Sequence, residues 1–213
     1  MPEFVDTIVK TNLLVSHFRS FHKQLALLRH YQMECFKKTM AFTLAAETRW
    51  GTQVFLLQSI NRSRDALRAF RSNKDNECRN QEVLDTIVDE GFWADVGELL
   101  DVLRPIYKAQ IESESSRGHL GHVLPRWKGI RESLASRIPC SNLLKVFDKR
   151  FKQQVDDVHY LAYHLDPSNA EVAIAAEIRE CFNTMKIYTS GEAYAAIKHE
   201  FLNFKKQRDV FAK

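Results

Sequence analysis

The sequence predicts an all-α fold, and three observations carry that prediction. Only 7 glycines and 5 prolines punctuate 213 residues, so few positions oblige a helix to stop. Apolar residues recur at three- and four-residue spacing along most of the chain, the period of a helix face rather than of a strand. Apolar residues make up 45% and charged residues 27% of the chain, ordinary globular proportions, so the apolar faces have a core to enter. The expected architecture is an irregular domain of about eight helices over residues 1–213, with a subdivision at 111–121.

Each element is justified by its local pattern. From Glu3 to about Tyr31, Phe4, Ile8, Val15, Phe18, Leu25 and Leu28 form one stripe. His17, Arg19, His22 and Lys23 fall mainly off it, toward solvent or a partner. "TMAFTLAAET", Thr39 to Thr48, is the one stretch with strand character and is expected to be a short extended connector, near 39–48. A helix from about Trp50 to Ser72 turns Leu56, Leu57, Ile60, Leu67 and Phe70 inward, and the polar "RSNKDNECRN" from Arg71 to Asn80 is a loop.

A short helix from Gln81 to Asp89 precedes a second that carries Phe92, Trp93, Val96, Leu99, Leu100 and Leu103. Pro105 is expected to kink or end it, because proline lacks a donor and clashes with the carbonyl four residues back. Beyond the break at Ile111 to Gly121, a helix from about His119 to Ser136 carries Leu120, Val123, Leu124, Trp127 and Ile130, with Pro125 tolerated in its first turns. Ser141 is placed to cap a helix containing Leu143, Leu144, Val146, Phe147 and Phe151. Asp166-Pro167 breaks the next pattern and Ser168 or Asn169 can cap the helix after it. Helices near Ala170–Tyr188 and Gly191–Arg208 complete the chain. No repeat of fixed period emerges.

The same numbers exclude several classes. No stretch reaches the roughly 18–20 apolar residues of a membrane span, and no signal-peptide pattern opens the sequence, so a soluble, intracellular protein is expected. Cys35, Cys78, Cys140 and Cys181 form no Cys-x-x-Cys pair, which leaves reduced thiols as the expectation. The net charge of +4 is unevenly distributed. Residues 1–72 carry eleven Lys and Arg against five Asp and Glu, and residues 73–117 carry five against eleven. Residues 118–158 carry eight against four, and the remainder is balanced. Basic blocks of this kind suit an anionic partner or an acidic block of another chain.

No phosphate-cradling glycine loop, His-Glu-x-x-His motif or Gly-x-Ser-x-Gly elbow occurs. His119 and His122 have a spacing that can hold a metal, but no Cys, Asp or Glu close in sequence completes the set, and they read as ordinary histidines at a helix start. Asp85, Asp89, Glu90, Asp95, Glu98 and Asp101 alternate with an apolar face and read as a solvated helix surface rather than a two-metal site. Arg64, Arg68 and Arg71 share one helix side, where they either neutralise successive phosphates or lay their stems along the edge of the core. Trp50 either fills the core or offers a stacking platform to an unpaired base.

Several stretches, taken in order, resemble the C-terminal half of a hAT-type (hobo-Activator-Tam) DNA transposase. They are "VDTIVKTNLLVSHFRSFHKQLALLR", "TRWGTQVFLLQSI" (Thr48–Ile60), "FWADVGELLDVLRPIYKAQIESES", "GHLGHVLPRW" and "AYHLDPSN", together covering about Val5 to Asn169. Gly51-Thr52 departs from that superfamily's usual Asn-Ser ending while keeping a small hydroxylated residue. The resemblance implies the helical insertion of an RNase H-like catalytic domain. Its two aspartates are expected before residue 1 and its glutamate after residue 213, in a fragment or relic of such a transposase. Mg2+ or Mn2+ would serve only a complete family member, and no motif around the three carboxylates matches here. No residue is therefore assigned to catalysis or metal binding, no cofactor is expected, and the chain by itself is not expected to be an enzyme.

What carries over is Arg49 and Trp50, the Arg-Trp pair that in the family lies at the junction with the catalytic core and helps hold distorted DNA. DNA contact by Arg49, Trp50, Arg64, Arg68 and Arg71, in the nucleus, is the expectation. A helical interaction or dimerisation scaffold without DNA binding is the alternative, with homo-oligomers and neither a membrane nor a small-molecule substrate.

Overall fold

The computed structural model describes residues 4–44, 51–116, 118–137 and 142–206. Among these residues the chain is all α-helical, with eleven α-helices in place of about eight and no strand. Two of the additional helices come from splits. The single expected helix near the N-terminus is α1 (Val5–Ser20) and α2 (His22–Phe36), and the next is α3 (Thr52–Arg62) and α4 (Arg64–Ser72). Neither split is made by glycine or proline. Phe21 takes φ −110° and ψ 87°, outside helical space, although its carbonyl still accepts from Leu25 N at 2.9 Å.

Ser63, fully buried, marks the second split. Its hydroxyl accepts from Gln32 Nε2 at 3.0 Å, and Gln32 also exchanges two hydrogen bonds with the backbone of Met40. One buried amide thus ties α2, the connector and the α3–α4 joint together, leaving none of its polar atoms unpaired. That connector is not a strand. Thr39–Leu44 runs without helix or ladder, anchored by the buried Phe42 ring, and 45–48 lie outside the described residues.

The chain divides into two compact units, Met1–Tyr107 and Lys108–Lys213. The first contains α1 to α4, α5 (Gln81–Val88) and most of α6 (Glu90–Glu114). Here α1 packs on α2, α3 and α5, and α4 packs on α2, α3 and α5. Phe18, Phe70, Leu14, Leu28, Leu57 and Ile87 form its fully buried centre. α5 starts at Asn80, whose side chain accepts from Val83 N, the expected behaviour of an N-cap asparagine.

Pro105 does not end α6, which runs on to Glu114. The missing donor removes one ladder bond, whereas Val96, Leu99, Leu100, Val102 and Leu103 before it are buried and the Tyr107 ring after it meets Phe55 edge-on at 5.3 Å. Burial before the proline and the partly buried Tyr107 packed on the core after it outweigh one bond. Tyr107 also covers Gly51, where a Cβ would lie 2.5 Å from the ring.

The second unit contains a 3-10 turn (Leu120–His122), α7 (Val123–Arg137), α8 (Asn142–Gln154), α9 (Asp157–Leu165), α10 (Ala175–Tyr188) and α11 (Gly191–Lys205). α9, its own helix, is the third addition to the expected set and packs on α7, α10 and the 3-10 turn, while α10 packs on α11. Asp156 and His159 form a reciprocal capping box at the start of α9, and Asp166 ends it as expected, its side chain accepting from Ser168 N. The predicted Ser141 cap lies outside the described residues.

Candidate nucleic-acid interface

The split at Phe21 builds an open cleft of about 900 Å3 in the first unit, walled by Ser20, His22 and Lys23 on one side and by the loop 74–80 on the other. The loop is polar, as its sequence suggests, and it is pinned. Asn76 is buried and donates to Asn73 O at 2.6 Å, while its Oδ1 accepts from Cys78 N at 2.8 Å. Glu77 takes φ 53°, a left-handed conformation that costs a non-glycine residue energy, and Gln24 Nε2 donates to its carbonyl at 3.2 Å. That bond holds the loop to α2.

The same amide fixes a histidine. With its NH2 group on Glu77, Gln24 turns Oε1 toward His17 Nε2, 2.5 Å away, so Nε2 carries the proton and donates. His17, expected to face outward, is buried instead, and burial lowers its pKa below the ordinary value of 6.5. Cys78 Sγ lies 3.5 Å from the same nitrogen. A thiol nucleophile needs a lone pair on its base; here that nitrogen already points a hydrogen at Gln24, so the pair serves to hold structure.

What the cleft presents to solvent is an aromatic ring among cations. Phe21 is 51% exposed, and its ring rests on the His17 ring with centroids 4.7 Å apart and a 34° tilt. Lys23, Lys74 and Arg79 line the same cleft, and Glu77 is the one carboxylate among its lining residues. A supported, half-exposed ring in a cleft lined by three cations can stack a base and neutralise its phosphates.

The sequence-predicted contacts sit elsewhere or are already engaged. Arg49 and Trp50 lie outside the described residues. Arg64 Nη2 binds Glu90 Oε2 at 2.6 Å, Arg68 Nη2 binds the other oxygen of the same carboxylate, and the Arg64 guanidinium lies 5.3 Å from the centroid of the buried Trp93 ring. Arg71 keeps a buried Nε with no hydrogen-bond partner among the described residues. One carboxylate thus pairs with two of the three heads, and the Arg64 guanidinium lies against the edge of the core. Of the acidic series, Asp89 Oδ1 accepts from Phe92 N, Asp95 accepts from Thr7 and Asp85 from Gln81, each with its own partner.

Sequence reasoning placed His22 and Lys23 off the apolar stripe but missed Phe21, Lys74 and Arg79. No local signal joins them, since the contact that assembles the cleft spans Gln24 and Glu77. No family model matches this sequence, and no curated protein or solved structure matches it either.

Proposed function

We propose that this chain is a catalytically incomplete, hAT-like helical insertion domain that binds DNA, seating an unpaired base on Phe21 and adjacent phosphates on Lys23, Lys74 and Arg79. The observation that carries the reading is the half-exposed Phe21 ring inside a cleft with three cations and one carboxylate. The ordered motifs from Val5 to Asn169 support it independently, and a nuclear location belongs to the same proposal.

Fluorescence anisotropy across a salt series, with blunt duplex and with hairpin or single-stranded DNA, tests it. Log affinity is expected to fall with log salt, and replacing Lys23, Lys74 and Arg79 together by alanine lowers that slope by about 2, at roughly 0.7 per single-strand phosphate contact. Phe21→Ala weakens binding to unpaired DNA by about 1–3 kcal/mol, the range for loss of one stacked base, and leaves blunt duplex nearly unchanged. Arg64→Ala with Arg68→Ala has the smaller effect, because Glu90 already holds both heads. Binding indifferent to salt and to Phe21 sinks the proposal.

A second reading, self-association without DNA, is favoured by an apolar groove lined by Phe4, Val5, Ile8, Val9, Leu99 and Leu103. Light scattering that finds a dimer in a chain with no DNA affinity would select it.

A further inference from the structure

We propose that His119, His122 and Asp166 form a binding site for one divalent transition-metal ion of the zinc class. The proposal is independent of the DNA reading and lies wholly within the second unit. His119 precedes the 3-10 turn and His122 is its last residue, and the third donor, absent from their neighbourhood in sequence, arrives from the residue that ends α9. One ligand atom from each of the three lies within 4.8 Å of the other two, and no other trio of His, Cys, Asp or Glu among the described residues converges so closely.

The orientation of each donor is built in. Gly121 lets the turn approach α9: a Cβ there would stand 3.0 Å from the Ala162 carbonyl and 3.1 Å from His119 Nδ1 and Cε1. The His119 ring therefore lies with that edge against Gly121 and with Nε2 toward Asp166 Oδ2, 4.0 Å away. Asp166 Oδ1 is occupied, accepting from Ser168 N at 2.9 Å and Ser168 Oγ at 2.6 Å, which leaves Oδ2 to the histidines. The two imidazole rings face each other with centroids 3.6 Å apart. Metal bonds of roughly 2.0–2.2 Å require each donor to move inward by about an ångström, a side-chain adjustment open to the exposed His119 and half-buried His122.

Arg126 sets the one opposing contact. Its Nη2 lies 3.4 Å from His122 Nδ1, but it also donates to Glu112 O at 2.9 Å, and its Nη1 donates to Ser113 Oγ at 3.1 Å. It can release the imidazole and keep its better bonds. Two nitrogens and one carboxylate suit zinc, cobalt or nickel over magnesium and calcium, which take oxygen donors. Three protein ligands also leave a coordination position for water.

The test is titration of the chelator-treated full chain with Zn2+ and with Co2+. One equivalent of Zn2+ is expected to raise Tm, Mg2+ is expected not to compete, and Co2+ gives visible absorption without the near-ultraviolet band of a thiolate ligand. Ser168→Ala, which removes one of the two bonds that hold Asp166 Oδ1 and keeps the backbone one, weakens binding by about 10-fold, the lower end of outer-shell changes, and His119→Ala and Asp166→Asn weaken it more. Imidazole 15N spectra of the unmodified chain place the metal without any variant, expected on His119 and His122. Metal shifts confined to His17, His22, His30, His159, His164 or His199, a thiolate band, or undiminished affinity in His119→Ala overturns the proposal.

Discussion

The two units keep polar groups in their interiors by different means. Among the described residues to Tyr107, the buried polar side chains are all ones that stay uncharged or are held neutral: Thr7, Thr11, His17, Gln24, Gln32, Ser59, Ser63, Asn76 and Thr86. From Lys108 onward the buried set includes Glu177, Lys205 and His164. Glu177 Oε1 accepts from Lys128 and its Oε2 lies 3.1 Å from His164 Nε2, while Lys205 Nζ donates to Asn169 O at 2.5 Å. Burial lowers the pKa of both His164 and Lys205. The first unit is therefore held by filled volume, and the second depends also on charges that are desolvated and must stay paired.

Cutting volume is the strongest way to break this contrast. Phe70→Ala, at a ring that is fully buried and edge-on to Phe18 at 5.0 Å, should destabilise by about 3–5 kcal/mol. Hydrogen exchange at α4 amides is expected to accelerate accordingly; an effect under about 1 kcal/mol would mean the ring is not part of a close-packed core. Cutting charge in the second unit comes next. Glu177→Gln should cost about 2 kcal/mol, in the range of hydrogen bonds to charged groups, read from α10 amides while those of α4 stay unchanged.

The smaller effects are in pH and reactivity. His17 is less basic folded than unfolded, so between the two values the unfolded chain binds the extra proton. Its contribution to the first unit is complete above pH 6.5, the ordinary value, and is lost as pH falls below it toward the depressed folded value, by up to about 1.4 kcal/mol per pH unit. A pH series of α1 exchange should slope in that window, and His17→Gln should flatten it. Last, burial pushes the Cys181 thiol up to about 12 while Cys35 is exposed. Thiol labelling of the native chain should therefore modify Cys35 long before Cys181, and rapid Cys181 labelling would mean that the second unit opens readily.

The helical class was legible because the 3.6-residue period survives almost everywhere, and the loop before α5, found at 73–80 where 71–80 was expected, the start of α5 and the break at Asp166-Pro167 were legible because Asn, Asp and Pro act locally. The splits at Phe21 and Ser63 were not. Ser63 is turned by a glutamine on another helix, a tertiary cause that leaves no glycine or proline as a sign. The site divides in the same way. Lys23 and His22 could be read as facing outward, whereas His119 and His122 read as ordinary histidines because no third donor lies near them in sequence, and Lys74, Arg79 and Asp166 reach their places through chain reversals that no window of sequence contains.

Tyr107 lying on Gly51 has a consequence for sequence variation. At 2.5 Å from the nearest ring atom, even a methyl group at position 51 displaces the tyrosine and with it the edge contact to Phe55. An asparagine at position 51 requires the Tyr107 ring to move. Positions 51 and 107 are expected to vary as a pair, with any side chain larger than hydrogen at the first accompanied by a smaller one at the second, so that Gly51→Asn fails in this background and Gly51→Asn with Tyr107→Ala recovers it.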